Sequence, residues 1–124
     1  VYVFDINIIH KIYPLLPNFT FENIQINTLI LSNCQIEKIE HYGLYGIYGL
    51  KELQLNSNKL KTINLEFLDE LEVLNLDENQ FEIIENRMLA NLTKLKMFRI
   101  MHNNLRFIEE NSFRFNSDLV RLYL

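Results

Sequence analysis

The chain has little of what builds several common kinds of site. Its 124 residues include a single cysteine, Cys34, so neither an internal disulfide nor a zinc site made of several thiolates can form. The apolar runs fall far short of the roughly 18 residues that cross a bilayer, and no membrane span is expected. The net charge is −4, with acids and bases interleaved. Nucleic acid is therefore not an expected partner, because phosphate binding requires clustered positive charge.

The chain does contain one phrase several times over. The template L-x-L-x-x-N-x-L-x-x-I fits at Leu53, Leu74 and Phe98, and it fits at Leu29 with cysteine in the asparagine slot. A weaker copy lies upstream, and a further copy opens at the end of the chain. The repeats start near residues 6, 29, 53, 74, 98 and 122. We therefore predict one repeat domain over residues 1–124, with about five coils and a sixth cut off.

Each part of the template has a structural reason. The L-x-L alternation predicts a short strand with both apolar side chains on one face. Asparagine carries a donor and an acceptor, which can satisfy backbone groups that are buried where the chain turns inside the coil. This slot is also expected to keep the cysteine buried and unreactive. The predicted ladder consists of Cys34, Asn58, Asn79 and Asn103.

The coils are expected to stack, because one coil cannot bury its own apolar face. Stacking predicts an α/β solenoid with a curved parallel sheet on its concave side. Irregular or short helical turns are expected on the convex side.

One interval between repeats is shorter than the others. Leu53 and Leu74 lie 21 residues apart, whereas other successive starts are 23 or 24 apart. In a full unit, inward residues follow one another in three-residue steps, as in Leu92, Leu95 and Phe98. The short unit lacks one such step. We predict a shortened convex arc there, with a local change in curvature and an unchanged concave register.

These residues resemble the leucine-rich repeat family, and the match covers nearly the whole chain. The 24-residue units, such as ENRMLANLTKLKMFRI, are similar to the extracellular animal class. That class includes Toll receptor ectodomains, adhesion proteins and the secreted leucine-rich immune proteins of insects. The resemblance implies an arc-shaped binding module.

No catalytic, cofactor-binding or metal-binding residue is expected. His10 and His102 both fall near the concave side, but four coils apart. At roughly 4.8 Å per coil they are about 20 Å from each other, too far to share a metal or a proton. His41 belongs to another surface. No nucleophile or phosphate-binding loop is present, so we do not predict an enzyme.

Two N-glycosylation sequons occur, N-F-T at Asn18 and N-L-T at Asn91. Asn91 lies between two inward residues of its unit, so a glycan there is expected on the convex side. The chain opens without a methionine or a signal peptide and ends inside a repeat. We therefore expect a fragment of a longer array.

The candidate partner surface lies on the concave side. Residues between the inward strand positions point away from the core, and arginine and tyrosine are frequent interface anchors. The residues expected to form this surface are Gln54, Asn75, Asp77, Arg99, Met101, Arg121 and Tyr123.

These features predict a non-enzymatic module that binds a protein through its concave sheet. We expect it in a secreted or cell-surface protein of innate immunity or cell adhesion. The alternative is an intracellular scaffold or adaptor of the same fold, which would lack a signal sequence and cysteine caps. The sequence does not determine the partner or the oligomeric state.

Overall fold

A computed structural model describes residues 4–124, which form a solenoid of short parallel strands. No helix occurs in this part of the chain, and so none that could cross a membrane. The strands are β1 (Phe4–Asn7), β2 (Leu15–Leu16), β3 (Ile24–Ile30), β4 (Lys38–Ile39), β5 (Ile47–Tyr48), β6 (Glu52–Gln54), β7 (Val73–Asn75), β8 (Ile83–Ile84), β9 (Met97–Arg99), β10 (Phe107–Ile108) and β11 (Arg121–Tyr123).

The concave sheet has the strand order β1-β3-β6-β7-β9-β11, with every pair parallel. Each strand lies beside the strand of the preceding coil, and inward residues pair with inward residues. The register joins Ile6, Leu29, Leu53, Leu74, Phe98 and Leu122 in one row. The solenoid predicted from the repeat is confirmed, with turns instead of helices on the convex side.

In each of the five coils, the chain leaves the concave sheet through a residue whose backbone has a positive φ. This residue directly precedes the ladder slot, and its φ lies between 54° and 58°. Such a φ is uncommon outside glycine, although asparagine and histidine tolerate it better than most residues. The residues are His10, Asn33, Ser57, Glu78 and His102.

Asparagine side chains hold this turn from inside. Asn79 is buried; its Nδ2 donates to the carbonyl oxygens of Leu55 at 2.9 Å and Leu76 at 3.1 Å, and its Oδ1 accepts from Leu60 N at 3.0 Å. Asn58 makes the equivalent contacts one coil earlier, and the half-buried Asn103 makes them one coil later. These contacts connect successive coils and satisfy buried backbone groups.

Cys34 occupies the same slot in the second coil. It is fully buried, and its Sγ lies 3.4 Å from the carbonyl oxygen of Ile8 and 3.3 Å from that of Ser32. The thiol thus stands where the amide Nδ2 stands in the next coils. It offers no equivalent of the amide oxygen, because sulfur is only a weak acceptor.

The third coil has the shortened arc that the sequence predicts. Leu53 pairs with Leu74 in the same register as the other inward pairs. Two turn hydrogen bonds build the arc, from Leu68 N to Leu65 O and from Leu71 N to Leu68 O, both at 3.1 Å. The next coil uses four such turns between residues 85 and 95. The missing residues therefore come from the convex side alone.

The last complete coil buries two polar side chains that the repeat pattern did not predict. Asn116, where the other units have an apolar residue, is 5% exposed. Its Nδ2 donates to the carbonyl oxygens of Leu89 at 3.0 Å and Leu92 at 2.9 Å, while its Oδ1 has no partner among the described residues. Ser112 is 3% exposed and donates from Oγ to Ile84 O at 3.1 Å.

Candidate binding surface on the concave sheet

The outward residues of the concave strands form one row across the coils. The register places Gln54 beside Asn75, Asn75 beside Arg99, and Arg99 beside Tyr123. Neighbouring strands in a sheet are about 4.8 Å apart, so these side chains are adjacent. Gln54, Asn75 and Arg99 are half-buried, and Tyr123 is exposed.

Arg99 is the centre of this row because it contacts groups on both sides. Its Nε lies 2.8 Å and its Nη2 2.6 Å from Asp77 Oδ2. On the other side, the guanidinium carbon lies 5.1 Å from the centroid of the Tyr123 ring, within the range of a cation–π contact. Arg99 is therefore fixed between a carboxylate and an aromatic ring.

Asp77 differs from the sequence expectation. It was expected to be an acidic group on the partner surface, but its side chain is only 9% exposed. Arg99 covers it, and its Oδ1 accepts a hydrogen bond from Met101 N at 2.7 Å. Asp77 N is in turn bound by Asn75 Oδ1 at 2.9 Å. The carboxylate therefore orients its neighbours and is not itself available to a partner.

The accessible part of the candidate surface lies toward the last strands. Arg121 and Tyr123 are exposed, and Met101 is half-buried beside Arg99. Gln54 is engaged at 2.8 Å with Glu52 of its own strand. The positive charge of Arg99 is balanced by Asp77, so Arg121 is the cation of this surface without a described carboxylate partner.

Two ion pairs connect the third and fourth coils just before strands β7 and β9. Lys96 Nζ lies 3.0 Å from Glu72 Oε2, and this hydrogen bond lowers the pKa of Glu72 below its ordinary value. Lys94 donates to both oxygens of Glu70 at 2.7 and 2.8 Å, which raises the pKa of the Lys94 ammonium. Both pairs are solvent-exposed, so salt weakens them.

Residues 4–124 contain no group of three His, Cys, Asp or Glu side chains that could hold a metal ion. His10 binds Asn33 through Nδ1 at 2.7 Å, and His41 lies 3.1 Å from Glu66 on the convex side. The two imidazole rings therefore have different partners and do not contact each other.

The two sequon asparagines are both exposed and use different side-chain atoms for hydrogen bonding. Asn91 Nδ2, the atom that a glycan would modify, donates to Glu66 O at 3.1 Å. Asn18 is also exposed, and its Oδ1 accepts a hydrogen bond from Tyr42 N at 2.8 Å. Both therefore make side-chain contacts with a neighbouring coil.

The arrangement of coils, ladder and concave row agrees with a known family. The leucine rich repeat profile matches residues 24–81 and 69–124. The chain belongs to the leucine-rich repeat family. A search of curated proteins finds no match.

A solved relative places this leucine-rich repeat chain near the Toll-type members. It is similar to a chain in the crystal structure of a TLR13–ssRNA13 complex, at 30% identity with a TM-score of 0.74. The match covers 78% of this chain and 14% of that chain. The Toll-type resemblance is thereby confirmed. Because that relative was solved in complex with single-stranded RNA, the expectation that nucleic acid is not a partner finds no support here.

Sequence reasoning missed a group of aromatic side chains on the convex side of this leucine-rich repeat array. Tyr42 and Tyr45 of the second coil contact Phe19 of the first coil and Phe67 of the third. A signal was present in the segment HYGLYGIYG, where tyrosines recur every third residue between the inward positions. The stacking across coils could not be read from that spacing alone.

Proposed function

We propose that this chain is a non-enzymatic recognition module that binds a protein partner through its concave sheet. The observation that supports this most strongly is the placement of Arg99, whose guanidinium is held between the buried carboxylate of Asp77 and the ring of Tyr123. A cation and a ring held in place before binding lose little side-chain entropy on association, and both residue types are common anchors. The whole protein would act in innate immune recognition or cell adhesion.

Single-stranded RNA is a second candidate ligand, because the similar chain is in a TLR13–ssRNA13 complex. Arginine and tyrosine side chains can also stack on unpaired bases and contact phosphates. Two features favour protein: the chain has a net charge of −4, and Asp77 already neutralises Arg99.

The secreted or cell-surface location is part of the proposal, and the intracellular scaffold or adaptor is its alternative. Mass spectrometry of the natural protein distinguishes them. Secretion predicts a glycan on Asn18 or Asn91, released by an amidase that cleaves at the asparagine. An unmodified protein confined to the cytosol would favour the adaptor.

The binding experiment uses a displayed library of extracellular proteins and a panel of single-stranded oligouridines. Each ligand found is titrated against the wild-type chain, Arg121→Ala and Tyr123→Ala. The matched controls are Arg114→Ala and Phe115→Ala, which remove an exposed cation and an exposed ring outside the concave row.

The proposal expects a protein ligand whose Kd rises at least about tenfold in the concave variants, with the controls unchanged. An oligouridine that depends on the same two residues, with affinity falling steeply as salt rises, would favour RNA. Protein ligands that are equally sensitive to both pairs of variants would contradict a concave site.

A further inference from the structure

The convex side carries a groove beside the shortened arc. A cavity of about 680 Å³ opens there, within the size range of small-ligand sites. Residues from three successive coils line it. Those that carry its chemistry are Tyr45, Tyr48, Glu66, Phe67, Asp69 and Glu70.

The short arc explains the position of the groove. The third coil turns back between Leu65 and Leu71 with fewer residues than the coil after it. Its convex turns are therefore flanked by the longer arcs of the second and fourth coils. A second cavity, of about 460 Å³, also borders this arc, and both cavities include Glu66 and Asn91 in their walls.

Aromatic rings form one wall of the groove. Tyr45 meets Phe67 edge to face, with ring centroids 5.1 Å apart and an interplanar angle of 83°. Tyr45 also packs at 6.0 Å against Tyr42, which stacks on Phe67 at 5.8 Å. These contacts between coils hold the rings in place. Tyr48 is 57% exposed and presents a further ring.

Carboxylates supply the charge of the groove. Glu66, Asp69 and Glu70 all line it, and no lysine or arginine does. Lys94 neutralises Glu70 from outside the cavity. Glu66 Oε1 accepts a hydrogen bond from Asn64 Nδ2 and lies near His41 Nε2, each at 3.1 Å. Asp69 is exposed and belongs to no ion pair in the described part of the chain, so its charge is available to a ligand.

Rings together with carboxylates match one ligand chemistry. A guanidinium group can pair with a carboxylate through two parallel hydrogen bonds while its flat face lies against an aromatic ring. A neutral or acidic ligand would leave Asp69 without a counter-charge. We propose that this groove binds an arginine-containing basic segment of a partner protein, independently of the concave surface.

The Asn91 sequon lies in this groove. Asn91 lines the cavity, and its Nδ2 contacts Glu66 O at the rim. A glycan on Asn91 would occupy the space that the peptide requires. The chain used for the test is therefore produced in bacteria, which add no such glycan.

The experiment titrates the chain with a fluorescent peptide of sequence Gly-Arg-Ser-Arg-Gly, capped at both ends, and reads anisotropy at low salt. The matched ligand replaces both arginines by citrulline, which keeps the shape and removes the charge. The groove variants are Asp69→Asn and Tyr48→Ala. The control variants are Asp118→Asn and Phe115→Ala, exposed residues on the convex return of the last complete coil.

The proposal expects citrulline to weaken binding at least about tenfold, and each groove variant to raise the Kd of the arginine peptide by about five- to tenfold. The control variants should keep the wild-type Kd. Equal binding of both peptides, or equal losses in groove and control variants, would overturn it.

Amide shifts in an NMR titration provide a second readout that does not depend on the variants. They should move at residues 45–49 and 66–70 and remain still at Gln54 and Arg99. Shifts confined to the concave residues would also overturn the proposal. Arg121→Ala and Tyr123→Ala should leave peptide binding unchanged, so this groove and the concave site can fail separately.

Discussion

Leu53 and Leu74 lie side by side in the concave sheet, although the chain between them is three residues shorter than between Leu29 and Leu53. The strands keep their register because the inward leucines must pack on the coils at either side. The convex turns have no such requirement and absorb the deletion. The length of the repeat therefore varies here on its outer side, while the concave register is kept.

The ladder predicts a large loss of stability for Asn79→Ala. This change removes the buried donor to Leu55 O and Leu76 O and the acceptor of Leu60 N. The two carbonyl oxygens keep donors from the ladder asparagines of the adjacent coils, so only Leu60 N is left unpaired. An unpaired buried N–H costs about 1 to 3 kcal/mol, and we expect a loss of about 2 kcal/mol. Equilibrium unfolding in urea, followed by circular dichroism, measures it. Asn104→Ala, an exposed position, should change stability by less than about 0.5 kcal/mol.

Asn79→Cys is a second variant for the same test, because Cys34 naturally fills this slot in the second coil. The thiol retains a weak donor toward the carbonyl oxygens, so the loss should be smaller than for alanine. An alanine variant as stable as wild type would show that the ladder contributes nothing.

The buried Asn116 predicts opposite effects of two similar-sized substitutions. Asn116→Leu removes an amide oxygen that has no partner, and Leu89 O and Leu92 O each keep a backbone donor. We expect a change between zero and about 1 kcal/mol of stabilisation. Asn116→Asp instead directs a carboxylate at those two carbonyl oxygens and should cost about 3 kcal/mol or more. The thermal midpoints of both variants at pH 7 test this, and a leucine variant less stable than the aspartate variant would contradict it.

Asp77 and Arg99 predict a measurable coupling energy. The carboxylate is nearly buried and the guanidinium covers it, so removing Arg99 alone leaves an uncompensated charge. A double-mutant cycle of Asp77→Ala and Arg99→Ala should give a coupling of about 1 to 2 kcal/mol in unfolding free energy. Lys59 and Glu37, 4.0 Å apart and exposed, form a comparison pair expected to couple by less than about 0.5 kcal/mol. Additive effects at Asp77 and Arg99 would rule out the orienting role of Asp77.

Glu72 predicts a dependence of stability on pH. Its pKa is lowered in the folded state, first by the hydrogen bond to Lys96 and also by the charges of Lys51 and Lys94. The stabilisation is therefore complete above its ordinary pKa of 4.5 and is lost as the pH falls through the lower folded value. Wild type should exceed Glu72→Gln in stability at pH 7 and lose that advantage near pH 3 in urea titrations. Salt should reduce the difference at pH 7. Glu82 is an exposed glutamate, and the control variant Glu82→Gln should be as stable as wild type at pH 7.

The repeat pattern was enough to predict the concave side. Inward leucines alternate within each strand, and their spacing between coils sets the register, so Leu53 and Leu74 could be paired from the sequence. The asparagine slot could also be read, because its donor and acceptor serve a turn only a few residues away. Arg99 and Tyr123 could be assigned to one outward row because both lie between the inward residues of their strands.

The tertiary structure alone decided the features that depend on neighbouring coils. Asp77 occupies an outward position by its spacing, but Arg99, 22 residues later, buries it. Asn116 breaks the apolar pattern, but it is buried because carbonyl oxygens of the preceding coil accept hydrogen bonds from its amide. The groove arises because three adjacent arcs differ in length, and this difference cannot be seen within one repeat. Local alternation determines which way a residue faces, whereas burial and cavities depend on what the adjacent coils place against it.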